Sequence, residues 1–149
     1  GASLARYEVV ETVSDDDTGG PKLESADKIV SGGRGMGGPE GFAVLEELAE
    51  ALGGAVGASR PPCDLGWISP AHQVGITGAI VAPSLYIATA ISGSIQHVTG
   101  MADAKVIVAI NNNPDANIFK IADFGIVGDW ENIIPALTQA VSENKETAS

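Results

Sequence analysis

The segment from Leu85 to Asn111, LYIATAISGSIQHVTGMADAKVIVAIN, restricts the fold of this chain more than any other. An apolar run from Leu85 to Ile91 empties into Ser92-Gly93-Ser94, a short polar stretch carries Gln96 and His97, and a second apolar run occupies Val106 to Ile110. Strands that are apolar throughout, instead of alternating, are covered on both faces. Two of them joined by a helix-length crossover therefore predict a parallel sheet of the α/β class, in three layers with helices on either side. Ligands of such sheets collect outside the carboxyl ends of the strands. Ser92, Gln96, His97 and Asn111 occupy those ends.

At 149 residues the chain is long enough for one domain with a sizeable core that needs neither disulfides nor a metal. Its single cysteine, Cys63, has no internal partner, which suits a reducing compartment. It also lacks a second cysteine or a local basic cluster to activate it, so a partly buried spectator is expected. No apolar run reaches membrane-spanning length and the first residues carry no secretory pattern, so neither a transmembrane segment nor secretion is expected. A formal charge of -11 argues against a general nucleic-acid binder and leaves room for one small anion in a local pocket.

Leu4 to Val13 alternates loosely, with Tyr7, Val9 and Val13 on one side, and could form a peripheral strand. Ser14 to Pro21 is an acidic, glycine-containing break. Residues 1–22 therefore read as an extension and linker, 23–144 as the domain, and 145–149 as a polar tail. Lys28-Ile29-Val30 leads into Ser31-Gly32-Gly33-Arg34-Gly35-Met36-Gly37-Gly38-Pro39, after which Phe42, Leu45, Leu48, Ala49 and Leu52 share one helical face. Pro39 suits the first turn of that helix and Gly53 its C′ position. Gly33, Gly35 and Gly38 satisfy G-x-G-x-x-G. Such a loop can turn backbone N–H groups and a helix N-terminus towards a phosphate, with Arg34 adding a fork of donors; it can equally be a tight turn with a solvated arginine. After the next short strand comes Ser59-Arg60 instead of an acidic residue, which disfavours a nicotinamide site of the dehydrogenase kind. Arg60 at that strand end suits an anionic partner or a surface ion pair.

Pro61 to Trp67 reads as irregular. Ser69 to Val81 is turn-rich and apolar at once, with glycines flanking Ile76-Thr77 as backbone does when it passes close to something bulky. His72 and His97 lack metal-ligand spacing. Past the Asn112-Asn113-Pro114 turn, Asp123-Phe124-Gly125 matches the magnesium motif of kinases only by coincidence. Ile126-Val127 is expected as the last strand, and Asp129 either accepts from a ligand or caps a final helix from Asn132 to about Ser142.

These blocks together resemble the C-terminal, FAD-binding domain of the electron transfer flavoprotein α-subunit family. The resemblance rests on Leu85 to His97 followed by Ala109-Ile110-Asn111, on SGGRG at Ser31 to Gly35, on VGASR at Val56 to Arg60, on Val81 to Tyr86, and on ADFGIVGD at Ala122 to Asp129. It implies a Rossmann-like domain holding FAD and completed by a β subunit. It also implies an electron carrier, without substrate conversion of its own, that serves flavin dehydrogenases such as acyl-CoA dehydrogenases and a quinone-linked acceptor. Such proteins work in the bacterial cytoplasm or the mitochondrial matrix, and fatty-acid β-oxidation is the associated process.

Residue by residue, the resemblance sets Arg34 and the stretch Ser92, Gly93, Ser94, Ile95, Gln96 and His97 against the pyrophosphate and central part of FAD. Ser59, Arg60, Val74, Gly75, Ile76 and Thr77 border the isoalloxazine, and Asn111, Asp129 and Trp130 surround the adenosine. Arg60 and His97 are expected to favour the negative charge of reduced flavin, and Thr77 to bond N5. The chain departs from the family pattern at Ile76 (usually glutamine), Ala79 (usually lysine), Ala90 (usually glycine), Asn112 (often lysine), and Pro61-Pro62. These departures leave two other readings open: a nucleotide-binding structural domain without redox turnover, and part of an electron-bifurcating flavoprotein.

Overall fold

The computed structural model describes residues 23–76 and 78–148, with side chains to residue 143. The strand expected at Leu4 to Val13, the linker at Ser14 to Pro21, and Thr77 lie outside the described residues. The elements are β1 (Lys28–Gly32), α1 (Pro39–Leu52), β2 (Ala55–Ala58), α2 (Arg60–Asp64), β3 (Leu85–Thr89), α3 (Ile95–Met101), β4 (Val106–Asn111), β5 (Phe124–Val127) and α4 (Trp130–Ala148), with short 3-10 turns between them.

All five strands are parallel, in the order β2-β1-β3-β4-β5. Because successive side chains of a strand point to opposite faces, the apolar runs supply two cores at once. Ile29, Tyr86, Ala88, Ile107 and Ala109 face Val74, Met101 and Ile118. Val30, Ile87 and Ile110 face Phe42, Leu45, Leu48 and Ile134 of α1 and α4. The result is the layered parallel arrangement expected from the sequence. Four of the five residues expected on the apolar face of α1 are buried, and only Leu52, in the last turn, is half-exposed. Pro39 opens that helix, and Gly53 closes it in the left-handed conformation at φ 74°.

Three boundaries differ from the sequence expectation. The segment after Ser59 is helical, not irregular: Pro61 and Pro62 fall in the first turn of α2, where backbone N–H groups have no intrahelical acceptor to lose. β5 begins at Phe124, because Asp123 Oδ2 accepts from the Ile107 N–H at 2.8 Å and starts the pairing early. α4 starts at Trp130, two residues sooner than expected, and continues to Ala148 through residues read as a tail. Pro135 consequently lies inside the helix, in its second turn. β5 is the outer strand beyond β4, and all four of its residues are exposed. Among the described residues no helix is long and apolar enough to cross a membrane.

Candidate functional site at the carboxyl edge of the sheet

The register aligns the strand ends. Ala58, Gly32, Thr89, Ile110 and Ile126 form one row across the sheet. The next level therefore holds Ser59, Gly33, Ala90 and Asn111, and hydrogen bonds carry the ladder past the strands: Ser59 N to Gly32 O at 3.1 Å, Gly33 N to Thr89 O at 3.0 Å, Ala90 N to Ile110 O at 2.8 Å, and Gly128 N to Asn111 O at 3.0 Å. The chain runs from β1 outward to β2 and then returns to β3 on the other side of β1, so the topological switch lies between β1 and β3.

The loops that follow these two strands press together. A Cβ on Gly33 would lie 2.4 Å from the Ala90 carbonyl oxygen, and one on Gly35 would lie 2.8 Å from Ala90 Cβ. The glycine loop is not an open cradle: Arg34–Met36 winds into a 3-10 turn and Met36 is buried against α1. Arg34 projects into solvent. Local rules are broken at the end of β3. Thr89 Oγ1 is a buried polar atom with no partner, and Ala90 takes a left-handed conformation at φ 57°. Strain and unpaired polar groups concentrate where a ligand is held. A non-glycine residue in this conformation costs roughly 1–2 kcal/mol, partly offset by the chain entropy that glycine would add. Ala90→Gly should therefore stabilise the fold by about 0.5–1 kcal/mol, read as a raised thermal midpoint.

Beside Ala90 opens a cleft of about 330 Å³, lined by Gly35, Ile110, Asn111, Asn112, Gly128 and the start of α4 at Asp129, Trp130, Glu131 and Asn132. The Trp130 indole N–H donates to the Gly35 carbonyl at 3.2 Å, bridging the β1 loop to α4. Asn111 is tied on both sides, donating to Ile91 O at 3.0 Å and accepting from Asn113 N at 2.9 Å. Asp129 is exposed. Asn111, Asp129 and Trp130, which the resemblance groups at one end of the cofactor, share this cleft.

The remaining expected residues divide between rim and interior. Ser92, Ser94, Ile95 and Gln96 are exposed, and Ile95 retains 77% of its surface in solvent. Gly93 is half-buried at φ 97°. Val74 and Gly75 are buried, while Ile76 is 54% exposed and its N–H donates to Gln96 O at 2.9 Å. Ser59 is buried at the start of α2, and the exposed Arg60 pairs with Asp64 at 3.2 Å, the surface ion pair that its position allowed. His97 points inward. It is 2% exposed; Nδ1 lies 3.1 Å from the Val74 carbonyl and Nε2 2.8 Å from the Tyr86 hydroxyl. Both ring nitrogens of this residue, which was expected to serve the cofactor, are thus engaged within the protein. Sequence reasoning missed Tyr86 and Ser31, which complete this buried chain of hydrogen bonds at 2.7 Å. Both sit in apolar strand patterns, and only the pairing of β1 with β3 brings them together. Cys63 is buried and its thiol is pushed up to about 11, by burial first and by Asp64 second, which suits a spectator. No cluster of metal-ligating side chains occurs among the described residues.

Residues 22–102 match the electron transfer flavoprotein FAD-binding domain family. An electron transfer flavoprotein subunit alpha from Thermoanaerobacterium thermosaccharolyticum is 60% identical over 123 residues, covering 83% of this chain and 37% of that protein. The mitochondrial subunit alpha of Dictyostelium discoideum is 59% identical over 125 residues, covering 84% of this chain and 35% of that protein. The Paracoccus denitrificans subunit alpha is 55% identical over 130 residues, covering 87% and 42%. This chain belongs to the electron transfer flavoprotein α-subunit family. It spans 35% to 42% of the length of these curated relatives.

Within this electron transfer flavoprotein α-subunit framework, the carboxyl edge carries groups of kinds that a dinucleotide can use. The cleft offers amide and carboxylate groups for hydroxyls and ring nitrogens. The exposed side chain of Ile76 offers apolar surface to a flat ring. The residues present fit FAD.

Proposed function

We propose that this chain is the FAD-binding part of an electron transfer flavoprotein, working with a β subunit to carry electrons from flavin dehydrogenases to a quinone-linked acceptor. The observation that carries the reading is the gathering of Asn111, Asp129 and Trp130 around one cleft at the carboxyl edge, in a chain of this family. When bound, FAD supplies the electron-accepting chemistry. The protein's part is to bind, orient and bias.

Asn111, locked by its bonds to Ile91 and Asn113, presents a fixed amide edge at the cleft. Asp129 is the acceptor for ribose hydroxyls or an adenine amine. Ile76 excludes water from one side of the isoalloxazine. Arg60, released from its weak exposed pair with Asp64, favours the charge of the reduced cofactor, and Arg34 and the exposed Ser92 and Ser94 serve the pyrophosphate. None of these roles needs a nucleophile or a general base. The chain is in this sense a carrier with no reaction centre for a substrate, housed in the bacterial cytoplasm or the mitochondrial matrix.

The test is a titration of the purified chain with FAD, followed by flavin fluorescence and visible absorption, with Arg60→Ala and Asp129→Ala alongside. Quenched, saturable fluorescence is expected for the parent chain. Asp129→Ala should weaken oxidised and reduced cofactor alike. Arg60→Ala should weaken the reduced form selectively, by about tenfold. Absence of uptake with FAD in excess, by the chain alone and by the chain with its β subunit, would refute the assignment.

A further inference from the structure

The turn after β3 carries a strained residue whose backbone is fastened on every side. Among the described residues Ala90 is the one non-glycine residue with a positive φ, 57°. Its N–H donates to Ile110 O at 2.8 Å and its carbonyl accepts from Gly35 N at 3.4 Å. The carbonyl of the preceding residue, Thr89, accepts from Gly33 N at 3.0 Å. Turning Ala90 into a relaxed conformation would break at least one of these bonds, so the strain is retained and the direction of its Cβ is fixed. A methyl group has no rotamer with which to move aside.

That methyl stands against Gly35, where an added Cβ would lie 2.8 Å from Ala90 Cβ. Gly35 is held as firmly, since its N–H bonds to Ala90 and its carbonyl accepts from the Trp130 indole at 3.2 Å. Both residues line the cleft. They do so from the loops after β1 and β3, whereas Asn111 and Asp129 stand after β4 and β5. On the β1–β3 side the gap between the two loops admits one methyl and not two.

We propose that Ala90 is a specificity-determining residue of the cleft, its fixed methyl narrowing the gap between the β1 and β3 loops against ligands that carry a phosphate chain into it. A nucleoside, held by Asn111 and Asp129 alone, is indifferent to that methyl. The placing of the diphosphate on this side rests on the FAD reading above, in which Arg34, the neighbour of Gly35, serves the pyrophosphate. The position of the methyl does not.

The test moves the methyl from one wall to the other. Ala90→Gly removes it together with the strain, and Gly35→Ala added to Ala90→Gly returns a methyl from the facing loop without the strain. The chain and both variants are titrated calorimetrically with adenosine, ADP and FAD. Ala90→Gly should bind ADP and FAD about tenfold more tightly than the parent, with adenosine unchanged within about twofold. The double variant should lose that gain, returning to within about threefold of the parent. Relief of strain alone would tighten binding equally in both variants, and that result would overturn the proposal. So would an equal gain for adenosine and ADP, no gain in Ala90→Gly, or no binding of ADP by either the parent or Ala90→Gly. Should the double variant not fold, the contrast between ADP and adenosine in Ala90→Gly decides by itself. The expected pattern with ADP in a chain that takes up no FAD, with or without its β subunit, would sink the FAD reading and leave the role of Ala90 standing.

Discussion

Lowering the pH from 7 to 4 should remove about 3 kcal/mol of folding stability through His97 alone. Burial brings its pKa down from the ordinary 6.5 to about 4, against the bond to Val74, which raises it. The folded state therefore holds the ring neutral where the unfolded chain already binds a proton. Its contribution is complete above pH 6.5, declines by about 1.4 kcal/mol per pH unit below that, and levels off near pH 4. Tyr86, the titratable group facing the ring, is pushed upward by burial and stays neutral across the window. Chemical denaturation of the parent chain and of His97→Asn at several pH values isolates the effect, because carboxylates elsewhere act alike in both. The difference between the two stabilities should change by about 3 kcal/mol between pH 7 and 4. A constant difference would mean that the imidazole is solvated or already charged.

Gly93→Ala should cost about 3 kcal/mol or more, combining left-handed strain with overpacking. Gly93 sits at φ 97° in the turn after β3, and a Cβ there would meet Ile118 N at 2.5 Å, Ile118 Cα at 2.8 Å and Asn117 C at 3.0 Å. These are backbone atoms with no rotamer to yield. The neighbouring bond from Ile118 N to Ser92 O, 2.9 Å long, would be displaced as well. Gly37 supplies the control. Its φ is 84°, but an added Cβ would have nothing within 4 Å, so Gly37→Ala should cost only the conformational penalty of roughly 1–2 kcal/mol. Equal losses in the two variants, measured by urea denaturation, would show that the contact with Ile118 carries none of the effect.

The parallel sheet was legible because unbroken apolar runs admit few other arrangements. The strands at Lys28, Ala55, Leu85 and Val106 and the apolar stripe of α1 all stand close to where periodicity set them. α2 was not, since two prolines after Ser59 read as a break until they are counted as first-turn residues. The early start of β5 depends on Asp123 reaching the Ile107 amide, a contact between segments 16 residues apart that no local pattern encodes.

For the site, the sequence by itself determined which residues stand at strand ends, because a parallel strand and its crossover fix where each run stops. Ser59, Ser92, Asn111 and Asp129 could be named on that ground, and the family motifs were written in contiguous blocks. Only the tertiary structure decided which way those residues face. Asn111, Asp129 and Trp130 converge on one cleft since β4, β5 and α4 are neighbours in space. His97 turns into the core instead, because Tyr86 and Val74 offer complementary polar atoms in a region where an unpaired imidazole would be costly. A buried group takes the partners that packing supplies, and packing joins residues far apart in the chain.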